Sequence, residues 1–316
     1  MSTDRNGQRD TVLVALDGSL AAATAVPIAF AVAAQLGADC RGLHIISGND
    51  PASQLAAPWM KGMKSLTGVR LWPDILEPTV QLWRAFAAPG NALMKEFFHA
   101  EMRLDVGDPA AGILRASTDP LIMLVVLTTH GHIIEPGRSL GRVAEHVIAG
   151  ATRPILLIRP EATPLATRPG GALRRLLLPL DGTPTTAALL APATELAHRL
   201  RAVVDLLYVA GAGAPPDEPG SIVGPQYVDQ SQHEWPQWEN EVITRLGVAC
   251  AQLPPNVPVQ MFLTQGDVGA EIARFAAEHR SDAVVLARRS RLEPGRASVL
   301  RAVLDQTPCP VLLVGD

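Results

Sequence analysis

Short apolar runs alternate with helical stretches along the chain, and the pattern occurs twice. In the first half the runs are Thr11 to Leu16, Cys40 to Ile46, Met102 to Val106, Leu121 to Leu127 and Pro154 to Ile158. In the second half they are Leu176 to Leu180, Val203 to Val209, Val259 to Leu263, Ala283 to Leu286 and Pro310 to Val314. Such short runs, apolar at successive positions, suit central parallel strands covered by helices on both faces. The βαβα order predicts a doubly wound α/β sheet of five parallel strands in each half.

The halves are copies of one another. VLVALDGS at 12–19 answers LLLPLDGT at 176–183, and the same offset aligns Ala23, Ala29, Ala33, Leu36 and Leu43 with Ala187, Ala193, Ala197, Leu200 and Leu207. Further along, VGDPAAGIL (106–114) answers QGDVGAEIA (265–273), and TRPILLI (152–158) answers PCPVLLV (308–314). Between the copies, a Pro-, Gly-, Ala- and Thr-rich stretch has no apolar period and reads as a linker. The domain boundaries that follow are 11–160 and 174–316, with 161–173 between them and residues 1–10 as a polar, disordered tail.

Composition narrows the function classes. The 316 residues carry 27 Lys plus Arg against 31 Asp plus Glu, a net charge of -4, so no basic field points to nucleic acid. The uncharged run from Leu20 to Ala38 is rich in Ala and holds Pro27, Gln35 and Gly37, which reads as a buried helix rather than a membrane span. Three separated cysteines, Cys40, Cys250 and Cys309, offer neither a disulfide framework nor metal spacing and fit a cytoplasmic protein.

In a doubly wound sheet the ligand lies beyond the carboxyl ends of the strands. The first strand of each copy ends there in an acidic turn, Asp17-Gly18-Ser19 and Asp181-Gly182-Thr183. The carboxylate is either a ligand contact or the companion of an ordinary Ser or Thr helix cap. The fourth strand of the first copy runs into Thr128-Thr129-His130-Gly131, and Gly141-Arg142-Val143 opens the next helix. Glycines so placed let backbone N–H groups approach a phosphate at a helix N-terminus; the plainer alternative is a loop needing positive φ at Gly131. Asp108 and Asp267 read as N-caps, and Glu-Pro-Gly-Arg, at 135–138 and again at 293–296, reads as a turn. The tryptophans, Trp59, Trp72, Trp83, Trp235 and Trp238, all fall between the second and third strands of their copies, with Val80, Trp83, Phe86 and Ala87 at helical spacing.

Asp17-Gly18-Ser19, Leu43-His44-Ile45, Gly107-Asp108, His130-Gly131, Gly141-Arg142-Val143-Ala144-Glu145 and Arg153-Pro154-Ile155-Leu156 resemble the universal stress protein family, arranged as a tandem pair from Thr11 to Asp316. The resemblance implies two adenine-nucleotide α-hydrolase-like domains related by a pseudo-twofold. ATP-binding members carry Gly, two residues, Gly, nine residues, Gly, then Ser or Thr. Here Thr128 replaces the first Gly, Gly131 and Gly141 keep the next two, and Arg142 replaces the hydroxyl residue. By similarity Asp17 sits near the adenosine, Ile45 lines the base, and Gly131, Gly141, Arg142 and Val143 surround the phosphates. Arg142 supplies a planar, charged fork for phosphate, or plugs the site, or pairs with Glu145 or Glu135.

The second copy departs further. Ala287 and Ser290 stand at the first two glycine positions and Ala297-Ser298 at the last pair, which leaves Asp181, Ser290 and Ser298 as its candidates. No Walker A, HExxH or nucleophile-base pair occurs. The resemblance therefore implies a cytoplasmic stress-response regulator that binds ATP or another adenine nucleotide, with or without Mg, and performs at most slow ATP hydrolysis. Its expected partner is a regulatory protein. The terminal strands, Ile155 to Ile158 and Val311 to Val314, are expected to meet as an intramolecular pseudo-dimer, and homodimerisation is left open. The competing expectation is a nucleotide-free interaction scaffold with both sites degenerate.

Overall fold

The computed structural model describes residues 9–46, 83, 100–131, 139–162, 173–210, 244, 247, 256–288 and 294–315. The chain divides into two compact units, Met1–Ala172 and Leu173–Asp316. Trp59, Trp72, Trp235, Trp238, Cys250, Glu135 and Ser290 lie outside the described residues, as does the linker from 163 to 172.

The first unit holds β1 (Thr11–Leu16), α1 (Leu20–Ala23), α2 (Ala25–Leu36), β2 (Asp39–Ile46), β3 (Ala100–Val106), α3 (Pro109–Ser117), β4 (Ile122–Thr128), α4 (Arg142–Gly150) and β5 (Ile155–Ile158). Its parallel strands lie in the order β3-β2-β1-β4-β5. β1 is buried along its whole length, as its unbroken apolar run requires. The second unit repeats the plan with β6 (Arg175–Leu180), α5 (Pro184–Ala187), α6 (Leu190–Leu200), β7 (Val203–Ala210), β8 (Val259–Gln265), α7 (Val268–Glu278), β9 (Ala283–Ala287), α8 (Pro294–Gln306) and β10 (Val311–Val314), in the order β8-β7-β6-β9-β10. Leu173, placed by the sequence at the end of the linker, is buried in the second unit.

The Ala-rich stretch after β1 is two helices, because Pro27 has no N–H to give the carbonyl of Ala23. The chain breaks at Thr24, whose hydroxyl donates to the Ala21 carbonyl at 2.7 Å. The second unit repeats the break ahead of Pro192, the third residue of α6. Among the described residues no helix is long and apolar enough to cross a membrane. Asp108 and Asp267 cap α3 and α7 by accepting from the N–H groups of Ala111 (2.7 Å) and Ala270 (2.9 Å). Trp83 packs edge-on against Phe30 of α2 at 4.8 Å, and β2 carries Gly42 where a Cβ would meet Met102 and that ring.

One element differs from its sequence reading. Helix α8 starts at Pro294, inside the Glu-Pro-Gly-Arg segment read as a turn, because a proline at the first helical position gives up an N–H that would have no partner there.

Candidate functional site

The strand order of the first unit reverses at β1, whose neighbours β2 and β4 are reached in opposite directions. Their carboxyl ends open the crevice in which such sheets take ligands. Gly18 makes the turn out of β1 at φ 85°, a conformation only glycine adopts cheaply. Asp17 Oδ1 then accepts from the Ser19 N–H (2.9 Å) and hydroxyl (2.6 Å), and the Ser19 oxygen accepts from Ala22 N–H at 2.9 Å. The acidic turn is thus a built cap for α1, which also fixes the Asp17 carboxylate.

The other carboxylate oxygen of Asp17 faces β4. A Cβ on Gly131 would stand 1.8 Å from Asp17 Oδ2, so no other residue fits there without moving the carboxylate. Gly131 is absent from the positive-φ residues, so its requirement is room for Asp17, not the left-handed backbone the plainer sequence reading supposed. Gly141 makes a second close approach. Its N–H donates to the carbonyl of fully buried Thr129 at 2.8 Å, and a Cβ there would lie 3.2 Å from that oxygen.

Helix α4 therefore begins beside the ends of β1 and β4. Gly141, its N-cap, has no side chain to spend on the leading N–H groups of Arg142, Val143 and Ala144. Arg142 and Val143 are both exposed. Among the described residues the Arg142 side chain meets no carboxylate, so the Glu145 pairing considered from the sequence is not formed, and Glu135 lies outside those residues. Thr128, buried at the end of β4, pairs with Ile158. Ile45 is buried and turned toward α3: a Cβ on Gly112 would meet its Cδ1 at 2.4 Å.

In the second unit Asp181 Oδ1 accepts from Thr183 N–H (2.9 Å), the Thr183 hydroxyl (2.6 Å) and the Thr186 hydroxyl. The buried phenol of Tyr208, in the second half of β7, is pushed up to about 12 by burial and then by the charge of Asp181. Ser298 is the fifth residue of α8 and is exposed. Its N–H is past the unpaired donors of the first turn. The glycine-and-helix-end arrangement of the first unit is therefore not repeated at Ser298.

Two participants escaped the sequence reading. Thr129 closes the loop onto Gly141 through a backbone carbonyl, which no side-chain pattern announces. Tyr208 stands opposite Leu180 in the β6–β7 register, as His44 stands opposite Leu16. Among the described residues no group of His, Cys, Asp or Glu is arranged to hold a metal ion.

A parallel α/β unit repeated twice, each copy with its strand order reversing at the first strand, defines the class as a tandem doubly wound α/β protein. The Universal stress protein family matches residues 8–159 and 172–315, and the chain belongs to that family. A universal stress protein from Archaeoglobus fulgidus DSM 4304 is 14% identical, with 98% of this chain and 99% of that chain covered at a TM-score of 0.63. A functionally unknown protein from Pseudomonas aeruginosa PAO1 is 12% identical, with 99% and 95% covered at 0.56. A universal stress protein solved in complex with cAMP is 15% identical and matches 46% of this chain and 98% of its own at 0.32. No curated protein matches the sequence.

Proposed function

We propose that the first unit binds an adenine nucleotide, ATP or AMP, at the carboxyl ends of β1 and β4, and that occupancy serves a stress-response regulator in the cytoplasm. The observation that carries this reading is the start of α4. Gly141 leaves its first N–H groups without a side-chain cap, and Arg142 adds a cation to the positive end of the helix dipole without a carboxylate partner among the described residues. A cation there is electrostatically costly unless an anion joins it, and a phosphate chain meets both the N–H groups and the guanidinium fork. Asp17 stands on the neighbouring strand end as an acceptor suited to the nucleoside. Magnesium, if it accompanies the nucleotide, is held by phosphate oxygens and water rather than by a dedicated cluster of side chains.

A nucleotide-free role describes the second unit better, because Ser298 lies inside α8, past the unpaired N–H groups of its first turn. One site per chain follows. With no nucleophile-base pair in the sequence, hydrolysis is slow or absent, and nucleotide occupancy acts by biasing the binding of a protein partner.

The test is isothermal titration of nucleotide-stripped protein with ATP and magnesium, beside Gly131→Val and Arg142→Ala. The expected result is saturable binding near one site per chain, abolished by Gly131→Val and weakened by Arg142→Ala. Absence of both heat and thermal stabilisation at about millimolar ATP overturns the reading, since a ligand that binds the native state must stabilise it.

A further inference from the structure

The two units differ at one edge of their sheets. β3 and β8 occupy the same place, each paired on one side only among the described residues, with β2 and β7. An open edge invites another strand unless the protein blunts it. β3 is blunted by charge: Glu101, Arg103 and Asp105 punctuate it, with Arg103 paired to Glu101 at 2.9 Å and Asp105 to Arg115. β8, Val-Gln-Met-Phe-Leu-Thr-Gln, has no charge and no proline, and Gln260, Met261 and Gln265 are exposed, Met261 by 38%.

The ladder shows which groups face outward. Val204 N–H donates to Pro258 O and Gly266 N–H to Ala210 O, so the even-numbered residues of β8 direct their peptide groups to β7. The N–H and C=O groups of Val259, Met261, Leu263 and Gln265 therefore point away from the sheet. A second β8 laid antiparallel, with a twofold axis at Phe262, pairs all of these outward groups. It sets Val259 against Gln265, Met261 against Leu263, Gln260 against Thr264, and Phe262 against its own copy. Every juxtaposition is neutral, and Met261 with Leu263 and Phe262 with Phe262 are apolar pairs of the kind that stabilise sheets. The same operation on β3 sets Arg103 on Arg103 and Glu101 on Asp105, which like-charge repulsion forbids.

We propose that β8 is a self-association edge, through which two copies of this chain join by antiparallel pairing of Val259–Gln265. The occupant is a second copy because the strand is complementary to itself and its counterpart β3 is not. The proposal is independent of nucleotide binding.

Sedimentation velocity over a range of protein concentrations tests it, on full-length wild type and two double variants whose folding is checked by circular dichroism and thermal melting. Wild type is expected to pass from one-chain to two-chain mass as concentration rises. Val259→Lys with Gln265→Lys, which faces like charges across the axis twice, should weaken association by about tenfold or more. Val259→Glu with Gln265→Lys, which faces opposite charges, should restore it in low salt and lose it in high salt. Wild type that stays at one-chain mass at the highest concentration overturns the proposal. So does a dimer that the paired lysines leave unchanged, since that dimer uses another surface.

Discussion

The carboxylate of Asp17, at the end of β1, fills the place where a side chain on Gly131, just beyond the end of β4, would have to stand: the separation from Oδ2 to an ideal Cβ is 1.8 Å. Because Oδ1 of the same carboxylate is tied to the N–H and hydroxyl of Ser19, Asp17 cannot swing away without breaking both hydrogen bonds to the residue that caps α1. Two strand ends far apart in sequence are thus interlocked by a missing methyl group.

Gly131→Ala is accordingly expected to destabilise the first unit by about 1–3 kcal/mol, the usual cost of forcing atoms into a filled space. Asp17→Ala in the same chain should relieve part of that cost, giving a coupling of about 1 kcal/mol in a double-mutant cycle read by urea denaturation. Additive effects would show that the two residues do not share the space.

Ser19 is the hinge of that interlock. Ser19→Ala removes the acceptor for Ala22 N–H and a donor to Asp17, and should cost about 1 kcal/mol, while Ser19→Thr should cost much less. Thermal melts of the two variants check it; equal melting temperatures for both would remove the cap from the account.

Tyr208 provides a spectroscopic probe of the second unit. Its phenol ionises near 12, above the ordinary value, because burial and then the charge of Asp181 disfavour the phenolate. The folded pKa is raised, so the native state keeps its proton where the unfolded state has lost it. The stability contribution is full below about pH 10 and is lost as pH climbs toward about 12. Absorbance at 295 nm during an alkaline titration should show Tyr208 ionising late, and Asp181→Asn should bring it earlier without abolishing the delay, since burial is the larger cause.

At the opposite end of that sheet Arg175 of β6 donates through Nη1 to both oxygens of Asp205 on β7, at 3.0 and 2.8 Å, and Asp205 is fully buried. Removing the cation leaves a carboxylate in the interior without its ion pair, so Arg175→Ala should cost about 3–5 kcal/mol. Replacing both residues with apolar ones, Arg175→Met with Asp205→Leu, should recover most of the loss. Denaturation midpoints decide; a double variant as unstable as the single would mean that shape, not charge, dominates there.

What could be read from the chain alone was whatever depends on neighbours in sequence. All ten strands fall within two residues of the apolar runs, because period and burial are local properties of a segment. The repeat and the caps at Asp108 and Asp267 were legible for the same reason. The start of α8 was misread because a Pro-Gly pair has the same local signature in a turn and at a helix entry, and only packing chooses between them. Folding alone decided why Gly131 must be glycine, where Ser298 lies relative to the first turn of α8, and that Ile45 turns toward Gly112. These depend on distances between segments that the chain brings together only after its strands have taken their order in the sheet, and no local pattern of residues encodes a distance of that kind.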